Sequence, residues 1–258
     1  MQKEGNPLRR DIVRLYRVLL MAAVACLAIG LVSADTKIVE KHHRDAIEVM
    51  GQKQPASDQE VTIWMADGKM RTDQGDTSVI ARLDQNKLYI VSHGSKQVLE
   101  ADLPITLESI AGDMAAMIKP MMEKMKITAQ VTPTEERKEI KGWQARRYDV
   151  EAKSEMMEMS IQMWVSKDVP VNTDKAMEMA SVFYGLQPGM KDLVEEMKKI
   201  EGYPVEQIVT MQVMGSTQKQ TQEVVSVEDV DAPADTYDPP ADYAKKPLTL
   251  QEMQNMKM

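Results

Sequence analysis

The sequence predicts an α+β protein, a strongly curved antiparallel β half-barrel covered by helical inserts. Three observations lead there. Short β-rich runs joined by turn residues fill most of the chain. Two longer stretches, 106–126 and 174–200, change to the spacing of amphipathic helices. A flat sheet of about ten strands curls or closes. Such a sheet bends around its helices and leaves an apolar interior, a common place for a ligand pocket.

The first element is not part of that domain. Lys3, Arg9, Arg10, Arg14 and Arg17 form a basic region, and Val18 to Val32 is an apolar run without a charge. Val32-Ser33-Ala34 then supplies small or compact residues before Asp35. This is the layout of a secretory signal peptide, 1–34, cut near Ala34, and it implies a periplasmic or secreted protein. The run is shorter than the ~20 apolar residues that span a bilayer comfortably. Three other readings stay open: an uncleaved membrane anchor, a lipid anchor at Cys26, and twin-arginine export through Arg9-Arg10. Ala23 to Cys26 loosely resembles a lipobox, but the apolar run continues past Cys26.

Cleavage changes the arithmetic. The 258 residues carry a net charge of −8, but the leader holds five bases and two acids, so the mature 27 bases and 38 acids give −11. An acidic chain is a poor nucleic-acid partner. The single Cys lies in the leader, so the mature chain has no disulfide framework and no thiol nucleophile.

The strands come next. Val61 to Met65 turns at Asp67-Gly68, and Lys69 to Arg71 turns at Gln74-Gly75-Asp76. Ser78 to Leu83, Leu88 to Ser92 and Gln97 to Ala101 follow, joined by similar turns, and read as hairpins. Thr106 to Lys126 is a helix with Leu107, Ile110, Met114, Met117, Met121 and Met125 on one face. Pro120 predicts a break near Lys119. Strands resume at Ile127 to Thr132, Glu135 to Ile140 and Gln144 to Glu151. In Met157 to Val165 every second residue is apolar, which marks one strand face. The second helical region, about 174–200, divides near Gly185 and Pro188-Gly189 and carries a stripe of Met190, Leu193, Val194, Met197 and Ile200. Gly202 sits where a helix C-terminus favours glycine. A last hairpin runs through Gly215-Ser216. The acidic segment from Asp231 reads as solvated, with a short helical end at Leu250 to Met256. The layout is one domain, 35–246, with a C-terminal tail, 247–258.

Five stretches resemble the domain of unknown function 4412 family. They are Thr62 to Arg71; Ser78 to Tyr89; Glu139 to Trp143 with Arg147 to Val150; Met163 to Asp168; and Gly202 to Val205. That family is similar to the periplasmic lipoprotein carriers of the LolA and LolB type. The resemblance implies an open, bent half-barrel lidded by helices around a lipid-sized cavity. It transfers no catalytic residue. The many Met in place of Leu and Phe depart from the usual carrier interior.

Methionine is the strongest compositional signal: of 23 in the chain, 21 are mature, against 9 mature Leu. Most lie on the apolar faces above. Met is unbranched and adaptable, so it serves as core filler and as a pliable wall for apolar ligands. The candidate ligand-binding residues of the cavity and lid are Trp64, Met114, Met117, Met121, Met159, Met163 and Trp164. The two indoles fall on the opposite strand parity from the Met beside them. A copper(I) site from Met156, Met157, Met159, Met177 and Met179, with help from His42, His43 or His93, is the metal alternative, since thioethers are soft ligands. His42-His43 reads as a solvated strand edge. No nucleophile elbow, zinc helix, phosphate loop or dinucleotide fingerprint is present. The reading is therefore a non-enzymatic binding or carrier module for a lipid or lipoprotein acyl chain, without a cofactor. A structural envelope protein with a partner-binding surface is the third reading.

Overall fold

The computed structural model describes residues 35–49, 52–123, 127–155, 157–171, 179, 191–213 and 216–256. The expected signal segment and the split near Gly185 lie outside these residues.

Alternating burial sets most of the strands. In β4 (Ser57–Ala66) Val61, Ile63 and Met65 are buried while Thr62, Trp64 and Ala66 are half-buried. The other strands are β1 (Asp35–Arg44), β2 (Ile47–Val49), β3 (Gln52–Gln54), β5 (Lys69–Gln74), β6 (Thr77–Arg82), β7 (Lys87–Ser92) and β8 (Gln97–Asp102). They continue with β9 (Thr128–Ile140), β10 (Trp143–Lys153), β11 (Met157–Ser166), β12 (Tyr203–Val213), β13 (Ser216–Val230) and β14 (Ala244–Pro247). Four α-helices are described: α1 (Leu107–Ala111), α2 (Ala115–Glu123), α3 (Lys191–Met197) and α4 (Leu250–Asn255).

Twelve strands form one open, curved sheet in the order β14-β8-β7-β6-β5-β4-β1-β13-β12-β11-β10-β9. Two meanders, β4 to β8 and β9 to β13, meet at β1. That strand pairs antiparallel with β13 on one side and β4 on the other. His42 and His43 therefore sit in a central strand, not at a solvated edge. The pairing of β1 with β13 spans almost the whole domain, and no local pattern announces it.

Two apolar clusters lie on what we term the inner face. The larger gathers Ile38, Ile63, Met70, Leu88, Ile90 and Leu99 under Ile110 and Ile118 of α1 and α2 and under Leu250 and Met253 of α4. The smaller gathers Val131, Tyr148, Val150, Met159, Met163 and Val209 under Leu193 and Met197 of α3. Strand register places both on the same side, because Gln222 lies opposite His42 and Gln207, and Gln207 lies opposite Met163. Among the described residues, helices cover the sheet in short pieces, and the first expected insert, 106–126, is two short helices rather than one.

The outer face differs between the halves. Over β6 to β8 it carries Ile80, Tyr89, Val91 and Val98, and Tyr243 packs on them. The segment after β13 crosses this face. Arg71 Nη1 donates to Thr236 O at 3.1 Å, and Arg82 Nη1 donates to Tyr237 O at 3.3 Å and to Asp238 at 2.5 Å. Tyr237 is buried. The expected solvated tail is therefore a strap held by aromatic burial and two arginines. It continues into β14, which extends the sheet edge in parallel with β8, and into α4, the short helical end that the sequence predicts.

Two local expectations change. The helical break lies not at Pro120, which stays inside α2, but at Gly112, whose φ of +51° interrupts the path between α1 and α2. Pro120 removes one intrahelical bond on an exposed face. Gly202 does not cap α3. Its φ is +124°, and a Cβ there would fall 2.5 Å from Ser166 O. It is glycine because the chain entering β12 passes against the backbone at the end of β11.

Candidate functional site

The two apolar clusters do not merge. A band of polar side chains runs between them on β4, β1, β13 and β12. In strand register Gln59 lies opposite His42, His42 opposite Gln222, and Gln222 opposite Gln207. Glu40 and Arg44 flank His42 two residues away on the same side of β1. Glu40, His42, Gln207 and Gln222 are all buried, Gln222 to 4% exposure.

Burial of these groups requires partners. Glu40 Oε2 lies 2.7 Å from His42 Nε2, and Glu40 Oε1 accepts from the Tyr203 hydroxyl at 3.0 Å. The carboxylate is thus engaged at both oxygens. Gln222 Oε1 and Arg44 Nε are buried without a partner among the described residues. An unmet buried acceptor costs about 1–3 kcal/mol. The band is sealed at one end and open at the other. Gln74 and Gln220 are half-buried and Gln59 is exposed, with a Gln74-to-Gln59 bond at 2.6 Å on the rim. Beside the same rim, Ile161 and Met211 of the smaller cluster are only half-buried.

The candidate residues of the sequence reading fall in several places. Met159 and Met163 are buried together in the smaller cluster, at 4% and 0% exposure. Met114 and Met117 point away from the core at 37% and 60% exposure. The Met121 side chain lies outside the described residues. Trp64 sits on the opposite side of β4 from Ile63, with Lys37 Nζ 5.4 Å from the ring centroid. Trp164 is half-buried against the larger cluster, with Lys138 Nζ 4.3 Å from its centroid. The structure unites Met159 with Met163 and leaves the two indoles elsewhere. Of the copper(I) set, Met159 and Met179 pack in different clusters, while Met156, Met177 and the Met157 side chain lie outside the described residues. His43 is exposed and pairs with Asp58 and Asp45, whose carboxylates raise its pKa; the Asp58 hydrogen bond is the larger cause.

The inner polar band escapes sequence reasoning because Glu40 and His42 look like surface residues. The available signal is their spacing: Ile38, Glu40 and His42 share one strand face, and the first is a core residue.

A second polar cluster lies on the outer face under the strap. Ser78 Oγ donates to Asp73 Oδ1 at 2.5 Å and lies 2.7 Å from His93 Nε2. Arg71 Nη2 donates to Ser78 Oγ at 3.1 Å, and His93 Nδ1 lies 3.2 Å from the Tyr243 hydroxyl. Ser78 resembles a nucleophile beside a base only at first sight. Its one proton goes to Asp73, so His93 donates to Ser78 rather than accepting from it. The cluster fastens the strap.

Against proteins of known sequence, residues 47–243 match the family model described as domain of unknown function 4412. The chain belongs to that family. Among curated proteins, none matches. Among solved structures, a LolA superfamily protein from Nitrosomonas europaea is similar with a TM-score of 0.29 and 8% identity. That likeness covers 86% of this chain and 96% of that one. A DUF1329 family protein from Desulfovibrio piger has a TM-score of 0.29 and 9% identity, over 90% of this chain and 97% of that one. The PNGF-II structure has a TM-score of 0.40 and 12% identity over 86% of this chain, which spans only 32% of that protein.

Proposed function

We propose that this member of the domain of unknown function 4412 family is an exported, non-enzymatic binding or carrier module. Its ligand is hydrophobic, a lipid or acyl chain, and its site of action is the cell envelope. One observation carries the reading: the apolar inner face runs from fully buried Met163 to half-buried Ile161 and Met211 at an open rim. A ligand chain entering there continues the smaller cluster. Each methylene it buries contributes about 0.8 kcal/mol. Met159 and Met163 form a wall that re-shapes around chains of different form, because thioether side chains are unbranched and flexible. Met114 and Met117 are exposed on the helical segment that covers the larger cluster, away from this rim, and we assign them no ligand contact. We assign Trp64 and Trp164 no ligand contact, since Trp64 lies on the other side of β4, Trp164 packs against the larger cluster, and each lies beneath a lysine. Export through the leader supplies the envelope location, and a second envelope protein is the natural giver or receiver.

Native mass spectrometry of the full exported chain tests the reading. A co-purifying lipid, displaced by the apolar fluorophore N-phenyl-1-naphthylamine, is the expected result. Absence of any lipid together with no fluorophore binding overturns it, and a copper adduct removed by a copper(I) chelator would favour the metal alternative.

A further inference from the structure

We propose that the inner face selects ligands carrying a neutral hydrogen-bond donor, a hydroxyl or primary amide, attached to an apolar chain. This rests on the hydrophobic-ligand reading above and specifies its headgroup. The polar band provides the receptor. Gln222 Oε1 is buried and accepts from no donor among the described residues, and Arg44 Nε is buried and donates to none. In register, Gln222 faces His42 and Arg44 faces Gln220, so the two are diagonal neighbours on one face. Such neighbours have Cβ atoms about 7 Å apart. One hydroxyl between them donates to Gln222 and accepts from Arg44, meeting both needs at once.

The surroundings set the charge. Glu40, His42 and Tyr203 already satisfy one another, so they offer no free counter-ion to a cationic head. Arg44 offers its unpaired Nε–H, but a carboxylate has no proton for the Gln222 oxygen beside it and leaves that acceptor unmet. A neutral donor is left as the fitting group. Apolar chain on the headgroup's far side meets Met163 and Val209, which flank Gln207 and Gln220 on the neighbouring strands.

The test uses the full mature chain and four probes of equal chain length: 1-decanol, decyl methyl ether, decanoate and decyltrimethylammonium. Competition against N-phenyl-1-naphthylamine gives their relative affinities. Decanol and the ether differ in little but the donor, so decanol should bind about tenfold more tightly, the value of one buried acceptor satisfied. Decanoate and the ammonium should bind more weakly than decanol. Gln222→Leu should bring the decanol-to-ether ratio near one, whereas Arg44→Met should weaken both probes alike and leave the ratio near its wild-type value, because both oxygens accept from Arg44. Equal binding of decanol and ether to the wild-type chain overturns the inference, as does a ratio that survives Gln222→Leu. A band that merely holds water gives that same equality. If no probe binds the wild-type chain, the parent reading falls first, so the two failures are separable.

Discussion

The two halves of the sheet solve burial differently. In β6 and β7 nearly every residue is buried, on both faces, whereas β10 is buried mainly on one face and β9 buries only Val131 and Ile140. The first half is sandwiched between α1, α2 and α4 on the inside and the 231–243 strap on the outside. The second half has α3 on the inside and, among the described residues, no strap on the outside. Two-sided burial makes a rigid platform, and one-sided burial leaves a sheet whose inner face can accommodate a guest. The half with the open rim is the one-sided half, so the proposed ligand enters where the fold is least over-determined.

Removing residues 232–258 should have the largest effect on this contrast. It uncovers the outer patch of β6 to β8, strips Arg82 of two partners and takes α4 from the inner core. The shortened chain should lose its cooperative thermal transition by circular dichroism. An unchanged midpoint would show that the strap is ornamental and the halves equivalent.

Equal truncations in the two halves sharpen the comparison. Met70 and Met163 are both at 0% exposure, on β5 and β11. Met-to-Ala changes in cores cost 2–5 kcal/mol, more where the site relaxes less. Met70→Ala should cost about 4 kcal/mol and Met163→Ala about 3 kcal/mol in urea unfolding. A reversed order would break the argument that the two-sided half is stiffer.

Arg82 tests the strap alone. Its side chain is 8% exposed and is held by Asp84 at 2.8 Å and by Asp238. Arg82→Ala should cost about 2 kcal/mol, less than a fully buried pair because both carboxylates keep partial solvation. Limited proteolysis should then open first within 231–243, before any site in β9 to β13.

The smallest effect is on acid stability. The Arg82 hydrogen bond is the main cause that holds the Asp84 carboxyl below its ordinary value. Its folded pKa is thus below its unfolded one. The resulting stability is complete above about pH 5 and disappears as pH falls through the lowered value. The stability difference between wild type and Asp84→Asn should be flat near neutrality and shrink toward about pH 3. A difference that grows on acidification would contradict the pairing.

How much of this was legible depends on distance along the chain. The meander β4 to β8 is readable because each hairpin is local and marked by its own turn residues, as at Asp67-Gly68 and Gln74-Gly75-Asp76. The Leu193 and Met197 stripe of α3 and the alternation of β11 are equally local. The role of β1 is not, because Thr36 meets Asp229 across 193 positions, and a register that remote leaves no short-range trace. The strap fails for another reason. Five aspartates between 229 and 242 suggest solvation, yet Arg82 pairs with Asp238, Arg71 holds the Thr236 carbonyl and Tyr237 carries the burial. The methionines are legible as core: Met65, Met70, Met159, Met163, Met179, Met197, Met253 and Met256 are all buried. The binding band is not, because Gln, Glu and His are surface residues by default and only their shared face betrays them.

The position of β1 also imposes a schedule. This strand leaves the ribosome before any other strand of the sheet, but its partner β13 follows almost at the end. The joint between the two meanders, β1 with β13, therefore stays open until nearly the whole chain has been made. For the export proposed here the delay is useful: the two meanders cannot join before the last strands are made.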